Sequence, residues 1–127
     1  MFKYIIFSML LTFNCYAQSM SMPEEPQGYV SKDNHTQGHD YYKMWSQNGS
    51  GVSCCSDQDC RATQFKYDKL HNLLVMIEGK YCKVDTTKIL KDAYYPDSYA
   101  HICTEMPNPG QDPCSLRVYC IVLPNIF

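Results

Sequence analysis

The side chains in this sequence that could do chemistry are its histidines and cysteines. Imidazole and thiolate are the ligands that suit zinc or copper, so His35, His39, His101 and any cysteine left outside a disulfide are the candidates. His35 and His39 stand four residues apart, as two ligands on one helical face would. However, Gln37-Gly38 between them works against a helix there, and cysteines joined in disulfides cannot ligate. A metal site therefore rests on His39 and His101. Met20 and Met22 would offer soft donors to copper(I), but they lie in a segment with nothing to fix their geometry.

The second chemistry is that of a nucleophilic thiol. His101-x-Cys103 brings an imidazole and a thiol close, and in a strand residues 101 and 103 share a face. In an oxidising compartment such a thiol is consumed by pairing, and no Cys-x-x-Cys redox motif occurs. Asp57, Asp59 and Asp68 do not form a helix–loop–helix calcium site, because the glycine at loop position six and the glutamate at position twelve are missing. Gly49-Ser50-Gly51 is not a nucleophile elbow, and Glu24, Glu25, Glu78 and Glu105 form no supported acid–base pair. No cofactor fingerprint is present, and the residue pattern argues against an enzyme.

The cysteines speak more clearly as cross-links. Of the eight in the chain, Cys15 falls inside an N-terminal export segment. That leaves Cys54, Cys55, Cys60, Cys82, Cys103, Cys114 and Cys120 as disulfide candidates, enough for three bridges and one odd thiol. Vicinal cysteines rarely bond each other, because the small ring strains the peptide between them. Cys54 and Cys55 are thus expected to send bridges to different parts of the fold. Spacing does not choose among the remaining connectivities.

Export is read from the first seventeen residues. Lys3 gives the positive start, Tyr4 to Phe13 is a short apolar run, and Cys15-Tyr16-Ala17 supplies a cleavage site after Ala17. The run is shorter than the roughly 20 residues a bilayer-spanning helix needs, and no other stretch approaches that length, so no transmembrane anchor is expected. Removing Lys3 from the 11 basic residues leaves ten against 13 acidic ones. That mild acidity lacks the basic stripe of a nucleic-acid binder. The expected location is periplasmic or secreted.

Three segments follow: a signal peptide over 1–17, a flexible leader over 18–38 and a single disulfide-rich domain over 39–127. The leader is polar and rich in proline and glycine, without hydrophobic period, and no core residue is expected in it. Asp40 can cap a two-turn helix with Tyr41, Met44 and Trp45 on one face, stopped at Asn48-Gly49. The Gly/Ser/Asp stretch 49–58 is expected to be a loop held by its cysteines. Thr63–Tyr67, Leu73–Ile77 and Tyr81–Val84 read as a β-meander with a turn at Glu78-Gly79-Lys80. Asp85 caps a short helical turn, and Tyr99–Cys103 and Leu116–Leu123 are two more strands, the last expected to be central. The fold class is mostly β (α+β), a small antiparallel meander or partly open barrel with one short N-terminal helix, stapled by disulfides.

The block His39-Asp40-Tyr41-Tyr42, Trp45, Cys54-Cys55-Ser56-Asp57-Gln58-Asp59-Cys60-Arg61, then His101-Ile102-Cys103 and Cys120 in an apolar strand, resembles small exported proteobacterial proteins of uncharacterised function. Its most specific element is the CC-x4-C-R string. The resemblance implies a periplasmic or secreted β-rich domain and brings no activity. Cys82 and Cys114 look like additions to that pattern, which implies that they pair with each other. Eleven tyrosines, Tyr41, Tyr42, Tyr94, Tyr95, Tyr99 and Tyr119 among them, suit either a recognition surface or a core short of leucine and isoleucine. The expected function is an exported, disulfide-stabilised binding or envelope-associated module for an unknown protein or small-molecule ligand. The alternative is a periplasmic zinc- or copper-binding protein using His39 and His101.

Overall fold

The computed structural model describes residues 24–31, 38–48, 50–55 and 60–125. The export segment 1–17, Met20, Met22, His35, Asp57 and Asp59 lie outside the described residues. The fold is mostly β: two three-stranded antiparallel sheets and one short helix, α1, over 38–42. One sheet has the order β1 (Cys60–Thr63), β5 (Ala100–Thr104), β6 (Val118–Val122). The other is the meander β2 (Phe65–Tyr67), β3 (Leu73–Ile77), β4 (Lys80–Lys83). The sheets remain separate and form no closed barrel.

The stretch expected as one strand over 63–67 is divided at Gln64, so that β1 belongs to one sheet and β2 to the other. Alternation then decides what each side chain meets. In β3 every second residue, Leu73, Val75 and Ile77, is buried, and these meet Ile102 of β5 and Ile121 of β6 in an aliphatic core between the sheets. On the other face of β1-β5-β6, Cys60, Cys103, Cys120 and Val122 join Tyr42, Trp45, Cys54 and Leu90 in a second, aromatic core. Strand β5 is buried along its whole length because it supplies both cores. It is the central strand, not β6. The apolar run of β6 reflects two buried faces at an edge, and that edge is covered by the 89–90 segment, where Leu90 N–H donates to Ile121 O at 2.8 Å.

Local chemistry sets the connections. Glu78 and Gly79 both have positive φ, 48° and 79°, the geometry of a two-residue type I′ hairpin whose twist matches its strands. Asp85 accepts from Thr87 N–H and caps the 3-10 turn Thr86–Lys88, and Asp112 does the same for Cys114 N–H at Pro113–Ser115. Both turns shield one orphan donor with a carboxylate.

Two local expectations are corrected. Helix α1 is shorter than two turns, and the large side chain it buries is Tyr42, followed by Trp45 just past the helix, while Met44 is 69% exposed. Tyr42 wins the interior because its hydroxyl finds a buried acceptor. Asp40 is exposed and pairs with Lys43 at 3.1 Å rather than capping. The Gly/Ser stretch is held by backbone as well as by sulfur: Gln47 N–H donates to Val52 O at 2.7 Å and Cys54 N–H to Trp45 O at 2.9 Å, which brings Cys54 beside Trp45.

Candidate functional site

The aromatic core contains the most chemically structured cluster among the described residues. His101, on β5, points at α1. Its Nδ1 lies 2.9 Å from Tyr42 Oη, and its Nε2 lies 2.9 and 3.0 Å from the two carboxylate oxygens of Asp97. An ionised carboxylate can only accept, so Nε2 carries the hydrogen and Nδ1 accepts from the Tyr42 hydroxyl. Burial raises the Tyr42 pKa above its ordinary value, which keeps the phenol protonated as this role requires. Desolvation lowers the His101 pKa, and Asp97 opposes that only in part, so the ring is neutral. Tyr95 stacks on it with centroids 3.8 Å apart, and Trp45 stands edge-on at 6.1 Å.

Tyr–His–Asp is the order of a proton relay, but a general base must come within about 3 Å of the proton it takes. Tyr42 and His101 are each 1% exposed, and Tyr95 lies over the imidazole. Asp97, at 28% side-chain exposure, is the member solvent reaches. The arrangement therefore clasps α1, β5 and the 95–99 loop together. With both ring nitrogens engaged, His101 has no lone pair to offer a metal while the network holds. His39 is exposed on α1, and among the described residues no three His, Cys, Asp or Glu side chains gather as ligands would.

The disulfides are Cys54–Cys120, Cys60–Cys103 and Cys82–Cys114, with Cα separations of 5.7, 4.0 and 5.2 Å. Cys60, Cys103 and Cys120 are register partners in one row across the sheet, so two of the three bridges converge on the row beside His101. Cys103 shares a face with His101 as expected, but its sulfur is in a buried bridge and is no nucleophile. Of the vicinal pair, Cys54 takes part in one of these three bridges, and Cys55 packs partly buried against the aromatic core. The pairing implied for Cys82 and Cys114 is the one the fold makes.

No family model, curated protein or solved structure matches this chain.

Sequence reasoning missed the other polar site. Arg61, the arginine of the CC-x4-C-R string, is fully buried between the sheets. Its Nε donates to Gly28 O at 2.9 Å, Nη1 to Thr104 Oγ1 at 2.7 Å and Nη2 to Glu78 Oε1 at 3.3 Å. Glu78 also accepts from Val30 N–H at 2.9 Å, and Gly79 N–H donates to Gln27 O. Residues 26–30 are thereby strapped across the β3–β4 turn. Gly28 is buried there, and a Cβ on it would collide with Met76 O. A proline-rich composition carries no signal of such contacts; an arginine beside a bridging cysteine in an otherwise apolar strand was the available clue.

The tyrosines divide. Tyr42 is core, and Tyr41, Tyr95 and Tyr119 pack partly buried around it. Tyr94, 58% exposed, and Met44 present apolar surface. A recess of about 170 Å³ is lined by Met44, Trp45, Ser46, Asn48, Leu90, Asp92 and Ala93.

Proposed function

We propose that the chain is an exported, disulfide-stabilised binding or envelope-associated module that works in the periplasm or outside the cell and recognises a protein or small molecule. The observation that carries this reading is where the reactive groups lie. His101, Cys103 and Arg61 are buried and bonded internally, whereas the surface around the aromatic core displays Met44, Tyr94 and the recess between Trp45 and Leu90. Large exposed apolar side chains next to a rigid, cross-linked core are suited to recognition, because little side-chain or loop freedom is lost on docking. Three disulfides agree with an oxidising compartment, as do the export pattern of residues 1–17 and the resemblance through Cys54–Arg61. Among the described residues no helix is long and apolar enough to cross a membrane.

The test is site-specific photo-crosslinking in a Gram-negative host that expresses the chain with its own N-terminus, with cell fractionation alongside. A crosslinker at Met44 or Tyr94 is expected to give discrete adducts in the envelope fraction, while one at Lys69, exposed on the β2–β3 turn, gives none. Recovery of the chain in the cytoplasm with reduced thiols, or equal adducts at all three positions, overturns the reading.

A further inference from the structure

A second recess lies on the side of the aliphatic core. β4, the capped turn Thr86–Lys88 and the chain entering β6 enclose about 290 Å³. Ile77, Val84, Leu116 and Val118 give it an apolar lining, the Cys82–Cys114 bridge lies along it, and Lys83, Lys88, Arg117 and Asp85 complete it. Three cations in one recess are unexpected in a chain of net charge −2. The ion pairs found among the described residues use Lys43, Arg61, Lys80 and His101, and none of these three.

The carboxylates nearby offset only part of this charge: among the lining residues, Lys83, Lys88 and Arg117 stand against the single carboxylate of Asp85. Its Oδ1 accepts from Thr87 N–H at 2.9 Å and from the Thr87 hydroxyl at 2.7 Å, and its negative charge also acts on Lys88. Those hydrogen bonds hold its pKa below the ordinary carboxylate value. Glu105 accepts the backbone N–H of Arg117 at 2.9 Å, a contact to the main chain and not to the guanidinium. Asp68, outside the recess and hydrogen-bonded to Asn72 and Leu70, lies within Coulombic reach of Lys83 and moderates its charge. Asp112 pairs with Lys80 at 3.2 Å.

We propose that this recess binds a small amphiphilic anion, a short apolar body seated on Val84, Leu116 and Val118 with a carboxylate or phosphate head held by Lys83, Lys88 and Arg117. A guanidinium meets either head group through two parallel hydrogen bonds, and the two lysines add charge without fixing direction. The volume is at the lower end of the roughly 300–1,000 Å³ of small-molecule sites, so the body is short. The Cys82–Cys114 bridge ties β4 to the Pro113–Ser115 turn and fixes that side of the recess before any ligand arrives, which lowers the ordering cost of binding. This adds a ligand class to the binding-module reading on a face that shares none of the residues around Met44 and Tyr94, so the failure of either leaves the other standing.

The experiment is an amide-resolved NMR titration of the mature, oxidised chain with octanoate, octyl phosphate, inorganic phosphate and neutral octyl glucoside. Octanoate and octyl phosphate are expected to shift amides at 83–88 and 116–118, with an affinity that weakens as salt rises. Lys83→Glu/Arg117→Glu should weaken both by about tenfold or more. The spectrum itself reports whether that variant is folded, and Lys88→Ala/Arg117→Ala, with two exposed or half-exposed side chains shortened, repeats the test if it is not. The proposal is overturned by the absence of shifts at these positions. It is equally overturned if inorganic phosphate binds as tightly as octyl phosphate, which marks a site for a free anion, or if octyl glucoside binds as tightly as octanoate, which marks a merely apolar recess.

Discussion

The two faces of the β1-β5-β6 sheet are stabilised by different means. The face toward the meander is largely aliphatic, with Arg61, Thr63 and Thr104 as its buried polar residues: Ile102 and Ile121 meet Leu73, Val75 and Ile77, and its one bridge, Cys82–Cys114, sits at the rim with Cys114 exposed. The face toward α1 is aromatic and polar, with two buried bridges and a neutral histidine at its centre. The difference follows from what each face packs against. A sheet offers a regular apolar surface that branched side chains fill by alternation. A five-residue helix and a Gly/Ser hairpin supply too little apolar area to close a core, and there cross-links and a satisfied hydrogen-bond network take over.

Removal of the bridges breaks this comparison with the largest effect. Sequence separations of 66 residues for Cys54–Cys120 and 32 for Cys82–Cys114 give similar loop-closure terms, about 4 kcal/mol each. Loop length hardly separates them, whereas burial does. Cys54→Ala/Cys120→Ala leaves cavities in the aromatic core and should lose about 1 kcal/mol more in urea unfolding than Cys82→Ala/Cys114→Ala. The same contrast predicts that mild reductant opens Cys82–Cys114 first, because thiol–disulfide exchange needs access to sulfur. Alkylation trapping and peptide mapping check the order; early loss of Cys60–Cys103 would contradict it.

Arg61 gives the next largest effect, and it tests how much the buried polar residues of the aliphatic face contribute. Arg61→Ala should cost about 3 kcal/mol, since Glu78 and Thr104 then lose a partner in a buried site. Arg61→Met, which keeps the volume, should recover part of that loss. Faster amide exchange at Val30 and Gly79 in Arg61→Ala would show the strap over residues 26–30 released, and unchanged exchange there would refute its role.

Tyr42→Phe, on the aromatic face, removes one hydroxyl and leaves His101 Nδ1 buried without its donor. A loss of about 1–2 kcal/mol is expected, with a change in Trp45 fluorescence because the two rings are 5.0 Å apart. A neutral result would mean that the clasp contributes no more than its ring packing.

The elements with a strict period were the legible ones. β3 and the Glu78-Gly79 turn follow from alternation and from a turn glycine, and Asp85 announces its cap. The helix was mislocated because Tyr41, Met44 and Trp45 also satisfy helical spacing, while the choice of Tyr42 depends on an acceptor 59 residues away. The centrality of β5 was hidden because His101 and Thr104 are polar yet buried. Of their partners only Asp97 lies nearby in sequence, four residues before His101, while Tyr42 is 59 residues from His101 and Arg61 is 43 from Thr104, and no local window contains those two. The cysteine row was invisible for the same reason: register, not spacing, aligns Cys60, Cys103 and Cys120.

Acid provides the smallest and most selective test of the two faces. In the folded chain His101 has its pKa below the ordinary value of about 6.5, because burial disfavours the imidazolium more than Asp97 favours it. As pH falls below about 6.5 the unfolded chain binds a proton at this residue before the folded chain does. Stability therefore decreases with falling pH and levels off once the buried ring is also protonated. The carboxylates with lowered pKa values, Asp68, Asp85 and Asp112, lose their contribution in the same direction but at lower pH, through the carboxylate range. Urea midpoints measured from pH 7 down to about 5 should thus decline in the parent chain and flatten in His101→Gln. If both decline in parallel, the acid sensitivity does not come from the clasp, and the aromatic face would be held by its bridges and ring packing without help from the neutral histidine.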